Sequence, residues 1–298
     1  MKLLRIKGDC YYFQGAVNIG YILKDGQGLL IDTGLEASTT KKIVKQLKNE
    51  NLPLNYLIIT HGHADHYGGA AYLHKNEGIK IFAPKLEAAI LENPILEPLY
   101  LFHGANPLPE FRNKFLEGEA VQIDHLLEEG HSEIGPFKLE AISLPGHSYN
   151  QMGVRIDDIL YAADSYFGID ALKKHKIPYI VDCQETIQSL VKLQSLNISG
   201  AVPGHGHFEE DFKRTVAENL KVHEDVIVNI KKILKMSKDG ISFEQLMKEL
   251  CKIYEVSLPN VPSWMLYRTA VTAYVTKLVK AGEAQLSVKD YTLNIYMV

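Results

Sequence analysis

The stretch Thr60-His61-Gly62-His63-Ala64-Asp65-His66 constrains this chain more than any other. It follows an apolar run, Tyr56-Leu57-Ile58-Ile59, that reads as a buried strand. It precedes Tyr67-Gly68-Gly69-Ala70, which reads as a turn into a helix. Four groups able to ligate a metal therefore crowd one loop past a strand's carboxyl end, where clefts of α/β proteins form. Neutral imidazole and ionised carboxylate suit zinc and other first-row metals. His61 and His63, two apart in an extended loop, can close on one ion, while Asp65 and His66 can face a second. A single histidine is ordinarily a surface residue or a satisfied core residue. Three of them with an aspartate, packed behind a strand, point to a metal site.

The elements around this loop alternate. Leu3–Lys7, Tyr11–Phe13, Val17–Leu23 and Gly28–Asp32 read as strands, with a hairpin turn at Asp25-Gly26-Gln27-Gly28. Ser38 is positioned to cap a helix carrying Ile43 and Leu47 on one face. After the ligand loop come a helix near Gly69–Lys75 and a strand at Ile79–Ala83. Such alternation argues for helices packed on sheets. Residues 84–135 differ: Pro94, Pro98, Pro107 and Pro109 interrupt them, and Tyr100, Phe102, Phe111 and Phe115 add aromatic weight. They read as two short helices with an irregular link, inserted between sheet elements. Such an insertion serves either as a lid beside a site or as an ordinary helical hairpin burying its aromatics.

Strands resume at Phe137–Leu144 and as a hairpin, Gly153–Ile156 with Ile159–Ala163; a helix at Cys183–Leu196 follows, and then Gly200-Ala201-Val202. One small design recurs along this path. An apolar strand ends, a Gly or Ala relaxes the backbone, and a His or Asp is presented: at His61–His66, His147, Asp164 and His205. Taken singly, Pro-Gly-His is a turn that exposes a histidine and Asp164 a turn or capping residue. A sheet can bring such strand ends together, so the set carries weight that no member does.

These residues resemble the metallo-β-lactamase superfamily, in the broad branch of glyoxalase-II-like hydrolases. The resemblance runs from about Gly15 to Gly206. The Thr-His-X-His-X-Asp-His motif matches Thr60 to His66, and the later histidine, bridging acid and last histidine match His147, Asp164 and His205. The resemblance implies an α/β (α+β) fold, a four-layer αββα sandwich, with a two-metal site at one edge. It implies that His61, His63 and His147 hold one metal, that Asp65, His66 and His205 hold the other, and that Asp164 bridges them. Two divalent ions about 3.5–4 Å apart can share a hydroxide and clamp a polarised oxygen. Zinc is the expected metal, although iron and manganese accept the same donors. Asp65, besides binding metal, is the candidate catalytic group that orients water or takes its proton. Asp32 matches a buried aspartate expected to hydrogen-bond the ligand loop or a ligand histidine, and Thr60 to fix the loop backbone. Ala64 stands where the oxygen-reducing di-iron branch usually has Glu, and the 41 residues from Asp164 to His205 leave no room for the large domain inserted in the nuclease branch.

Residues 1–208 thus read as a catalytic domain, with 84–135 as its insertion, and 209–298 as a small, mainly helical C-terminal domain. Apolar positions Phe212, Val216, Leu220, Ile227, Ile230 and Leu234 mark a long helix. Helices at Ser242–Cys251 and Ser263–Ala281 and a terminal hairpin follow, an order resembling a winged helix. Residues 236–298 carry seven basic and six acidic side chains, and the whole chain has a net charge of −4. A nucleic-acid reader is usually far more basic, so the tail is expected to shape a substrate pocket or a homodimer contact instead. No apolar run approaches a membrane span. The N-terminus lacks the apolar core of a signal peptide, and Cys10, Cys183 and Cys251 suggest neither a disulfide framework nor a thiolate site, so a cytoplasmic home is expected. The remaining histidines, among them His74, His175 and His223, have no motif support and read mostly as solvated. The expectation is a hydrolase of a small-molecule ester, thioester or lactone bond. A metal-dependent nuclease or phosphodiesterase, or a non-enzymatic binding protein stabilised by metal, are the alternatives.

Overall fold

A computed structural model describes residues 1–298. Two sheets face each other. The first has seven strands in sequence order: Lys2–Lys7, Cys10–Gln14, Ile19–Lys24, Gln27–Ile31, Tyr56–Ile58, Lys80–Pro84 and His125–Leu127. The first four pair antiparallel and the last three join in parallel. The second sheet has the order Gly200–Pro203, Ile159–Ala163, Met152–Ile156, Phe137–Ser143, Gly130–Ile134, with only its first pair parallel.

The two-residue period of the strands builds three layers of core. Leu29 and Ile31 face inward with Ile22 and Ile58 against Phe137, Leu139, Val154 and Tyr161 of the second sheet. Leu30, between them in sequence, faces outward with Leu57 and Ile81 onto Ile43, Val44 and Leu47 of helix Ala37–Asn49 and Leu73 of helix Ala70–Glu77. On the far side, Ile142, Leu144, Leu160 and Ala162 pack beneath Leu190 and Leu193 of helix Cys183–Ser195 and Phe212 and Val216 of helix Phe212–Met236. The result is the αββα sandwich.

Two expectations need correction. The irregular stretch read over 84–135 does contain short helices, Lys85–Glu92 and Leu96–Leu101, but 125–134 belong to the sheets. His125–Leu127 is only three residues long, and edge strand Gly130–Ile134 buries only Ile134 fully, so neither carries a strong apolar signal. Ser38 does not cap its helix: the chain enters through Glu36, and no side chain there bonds a free backbone N–H. Helix Ile169–His175, with one buried side chain, Leu172, was not anticipated.

The tail is a long helix, a two-residue strand Ile241–Ser242, helices Phe243–Ile253 and Val261–Lys280, and a hairpin of Ala284–Lys289 and Thr292–Met297. Its three strands form a third sheet. Its core is not separate from the rest, because Ile177, Ile180 and Cys183 pack among Val226, Ile230, Leu246, Tyr274 and Leu278. No helix is long and apolar enough to cross a membrane.

Candidate metal centre

Strand pairing explains how distant residues meet. Ile31 lies beside Ile58 in parallel register, and Asp32 N–H donates to the Ile58 carbonyl at 2.8 Å. Asp32 and Thr60 therefore leave neighbouring strands side by side. Ala163 lies beside Pro203, and Gly204 N–H donates to the Ala163 carbonyl at 2.6 Å, which sets Asp164 next to His205. The two sheets meet at this edge, where Met152 N–H donates to the Thr60 carbonyl at 3.1 Å, so the turn holding His147 lies over the His61–His66 loop. Two non-glycine residues at these strand ends, Asp32 (φ 65°) and Ala163 (φ 48°), occupy the left-handed region. Such strain, of order 1–3 kcal/mol each, is held by surrounding structure and is concentrated at sites. A Cβ on Gly204 would overlap Asp164 Oδ1, so only glycine admits this approach.

All seven candidate ligands converge. One donor atom from each of His61, His63 and His147 lies within 4.8 Å of the others; the same holds for His61, His66 and Asp164, and for Asp65, His66 and His205. His63 Nδ1 is 2.8 Å from His147 Nε2. Asp164 stands at the centre: its Oδ1 is 3.4 Å from His66 Nε2, and its Oδ2 is 3.4 Å from His147 Nε2 and 3.3 Å from His205 Nε2. Asp65 Oδ2 is 3.4 Å from His205 Nε2.

Partners on the opposite ring nitrogens fix which atom of each histidine faces inward. His66 Nδ1 donates to Asp32 Oδ2 at 2.8 Å, His147 Nδ1 to the Tyr179 carbonyl at 3.0 Å, and His205 Nδ1 to the Ala16 carbonyl at 2.7 Å. Thr60 Oγ1 donates to Asp32 at 2.9 Å and is therefore free to accept from His61 Nδ1 at 3.1 Å. Asp32 also receives Thr60 N–H at 2.9 Å. Each of these four histidines thus presents Nε2 to the centre.

The charge balance of the residues shows what is wanted there. Burial, together with His66, His63 and His147 nearby, drives the His61 imidazolium far down; burial and the neighbouring His147 bring His63 down to about 3, and burial lowers His147. Burial works against a charged His205 as well, but Asp164 and Asp65 outweigh it and push the ring up to about 10; Asp164 and Asp32 do the same to His66, which rises well above its ordinary value. The carboxylates therefore demand compensating positive charge. His61 Nε2, His66 Nε2 and Asp164 Oδ1 are buried with no hydrogen-bond partner. Buried polar atoms are normally satisfied, and an unsatisfied cluster of metal-ligating types calls for an ion. Nitrogens bound to one zinc at about 2.0–2.1 Å in a tetrahedron sit roughly 3.3 Å apart, close to the spacings present. The residues fit a divalent metal.

Several neighbours carried no sequence signal. Asn18 holds the His205 turn by donating to the Pro203 and Gly206 carbonyls at 2.9 and 3.0 Å. Glu87 ties two ligand loops together. Tyr179 lays its ring edge-on to His63 and His147, with centroids 5.6 and 5.7 Å away, and Phe167 touches His147, His175 and His205. His175 belongs to this wall. His223 is buried on helix Phe212–Met236 and shares a 2.7 Å hydrogen bond with the Tyr274 hydroxyl, so neither is a solvated histidine. Only the pairing of loops in space could have revealed these.

A family model described as the metallo-beta-lactamase superfamily matches residues 12–205. The atrochrysone carboxyl ACP thioesterase of Aspergillus fumigatus is 28% identical over 202 residues, covering 67% of this chain and 54% of that protein. A hydroxyacylglutathione hydrolase of Rhodopseudomonas palustris is 23% identical over 248 residues, covering 82% of this chain and 77% of that protein. The chain spans little more than half the length of the thioesterase. The crystal structure of a metallo-beta-lactamase family protein from Thermus thermophilus superposes with a TM-score of 0.73 over 95% of this chain and 94% of its own, at 17% identity, which speaks to the fold.

Proposed function

The chain belongs to the metallo-beta-lactamase superfamily, and from that premise we propose that it is a binuclear metal-dependent hydrolase of small-molecule thioesters or esters. One observation carries the reading: the Asp164 carboxylate lies between two sets of ligating side chains, one oxygen 3.4 Å from His66 and the other within 3.4 Å of both His147 and His205. In this reading His61, His63 and His147 would hold one cation, Asp65, His66 and His205 would hold a second, and Asp164 would serve both sets. Divalent cations bound by these residues would lower the pKa of a water toward neutrality and would polarise the substrate oxygen. Zinc is the metal proposed, from the imidazole-rich donor set.

The protein's own groups do the rest. Asp65 has a third of its side chain exposed, so it alone of the acids can both touch a cation and reach arriving water. It is held low, at about 2: burial opposes this, and the charges of His66 and His205 outweigh it. It is therefore an ionised acceptor throughout the neutral range, suited to orient water. Asp32 and Thr60 keep His66 and His61 in the ligating tautomer. Phe167 and Tyr179 wall one side of the site, and Tyr179 packs on the cluster of Leu101, Phe111 and Leu116, against which Met265 and Leu266 also pack. The tail helix Val261–Lys280 thus backs the site wall. That position weighs against the nuclease reading, because Met265 and Leu266 on this helix already face the protein.

Both named relatives act on thioesters, by their names, and this favours an acyl thioester as substrate. A panel of acyl thioesters, aryl esters and lactones, assayed before chelation, after it and after zinc is restored, tests the proposal. Activity should vanish on chelation and return with metal. Hydrolysis indifferent to chelators, or cleavage of oligonucleotides at low salt with no acyl substrate turned over, would refute it.

A further inference from the structure

Glu87 lies outside every motif in the sequence, yet it is 1% exposed on helix Lys85–Glu92 of the insertion. A buried carboxylate is tolerated only where its oxygens are satisfied. Both are satisfied here, each by a different ligand loop. Gly62 N–H donates to Oε2 at 2.8 Å. Ser148 Oγ and Asn150 N–H donate to Oε1 at 2.7 and 2.8 Å. Gly62 is the residue between His61 and His63, and Ser148 directly follows His147. A single side chain outside the proposed ligand set therefore holds, by hydrogen bonds, the two loops that carry the three-histidine set.

A second observation bears on the same contact. A Cβ on Gly62 would come within 3.1 Å of Glu87 Oε2 and of the Ile90 Cβ and Cγ2 atoms, so the helix approaches as near as a glycine permits. Leu86 N–H also donates to Asn150 Oδ1 at 3.2 Å, fastening the same helix to the His147 turn.

We propose that Glu87 is a positioning residue for the first cation: it sets the separation of the His61–His63 loop from the His147 turn and so couples the helical insertion to the affinity of the three-histidine site. The inference rests on the reading of those histidines as ligands. It predicts that the second set, Asp65, His66 and His205, which Glu87 does not touch, keeps its affinity. Replacement by an isosteric amide isolates the effect. Glutamine has one acceptor oxygen where the carboxylate has two, so either Gly62 or the Ser148–Asn150 pair must face an NH2 group that cannot accept.

Cobalt(II) titration of the full chain, followed by its visible absorption in competition with a chelator, tests this. His61→Ala and His205→Ala identify which binding event belongs to which set. Glu87→Gln should weaken the event lost in His61→Ala by roughly 10–100-fold, the range for partners that orient metal ligands. It should shift the event lost in His205→Ala less than about threefold. Ser148→Ala, which removes one donor and leaves the carboxylate in place, should weaken the first event by about five- to tenfold, the value of one hydrogen bond. If Glu87→Gln fails to fold, Ser148→Ala decides alone. Equal weakening of both events, or of neither, would overturn the positioning role. Wild-type protein whose cobalt spectrum ignores both histidine variants would instead overturn the ligand reading beneath it.

Discussion

Asp164 is confined on several sides. It is 5% exposed, meets three histidine nitrogens at 3.3–3.4 Å, and is closed on one side by the absent Cβ of Gly204. Asp32 is nearly as constrained, holding His66, Thr60 N–H and Thr60 Oγ1 from a left-handed backbone. Asn adopts that backbone as readily as Asp. Asp32→Asn should therefore fold, but its amide cannot accept from all three donors, and metal affinity should fall about 10–100-fold. Chelator competition measures it, and unchanged affinity would remove Asp32 from the site. At this scale much was legible. Thr60 to His66 announces itself because four ligating groups share one loop, and His147, Asp164 and His205 because each follows an apolar strand. Glu87, Asn18, Tyr179 and Phe167 were not legible, since each acts on a loop distant in sequence and its residue type is ordinary where it stands.

Among the elements, the strands were readable where burial alternates or is complete, as at Gln27–Ile31 and Ile159–Ala163. His125–Leu127 and Gly130–Ile134 escaped because short or edge strands bury too little to pattern the sequence. The long helix Phe212–Met236 serves two cores, Phe212 and Val216 in one and Val226 and Ile230 in the other. Between them sits His223, fully buried against Tyr274, and burial lowers its imidazolium to about 4. An unfolded histidine titrates near 6.5, so between about 4 and 6.5 the unfolded chain binds the extra proton. His223 therefore adds nothing to pH dependence above pH 6.5 and disfavours folding progressively as pH falls below it, by on the order of 2 kcal/mol at pH 5. Melting temperatures from pH 7 to 5 should drop less in His223→Gln than in wild type. Parallel curves for the two would show that this histidine is not held neutral.

For the whole molecule, the tail and the sandwich are one packing problem. Ile177, Ile180 and Cys183 lie in the tail's core, while Met265 and Leu266 of the tail line the cluster that backs Tyr179. The division into 1–208 and 209–298 followed the end of the ligand motifs, which carry no information on where apolar surfaces close. A chain ending at residue 208 should expose those residues and aggregate or bind a hydrophobic dye strongly. A well-folded, monodisperse truncation would show instead that the tail is an independent appendage.

The account depends most on seven side chains gripping a pair of cations. Elemental analysis of the full chain after saturation with zinc and exhaustive dialysis measures this directly. Wild type should retain about two equivalents per chain, and Asp164→Ala, which breaks the link between the two sets, should retain one or fewer. A folded wild type that keeps less than about a tenth of an equivalent, or one whose content is unaltered by Asp164→Ala, would contradict it.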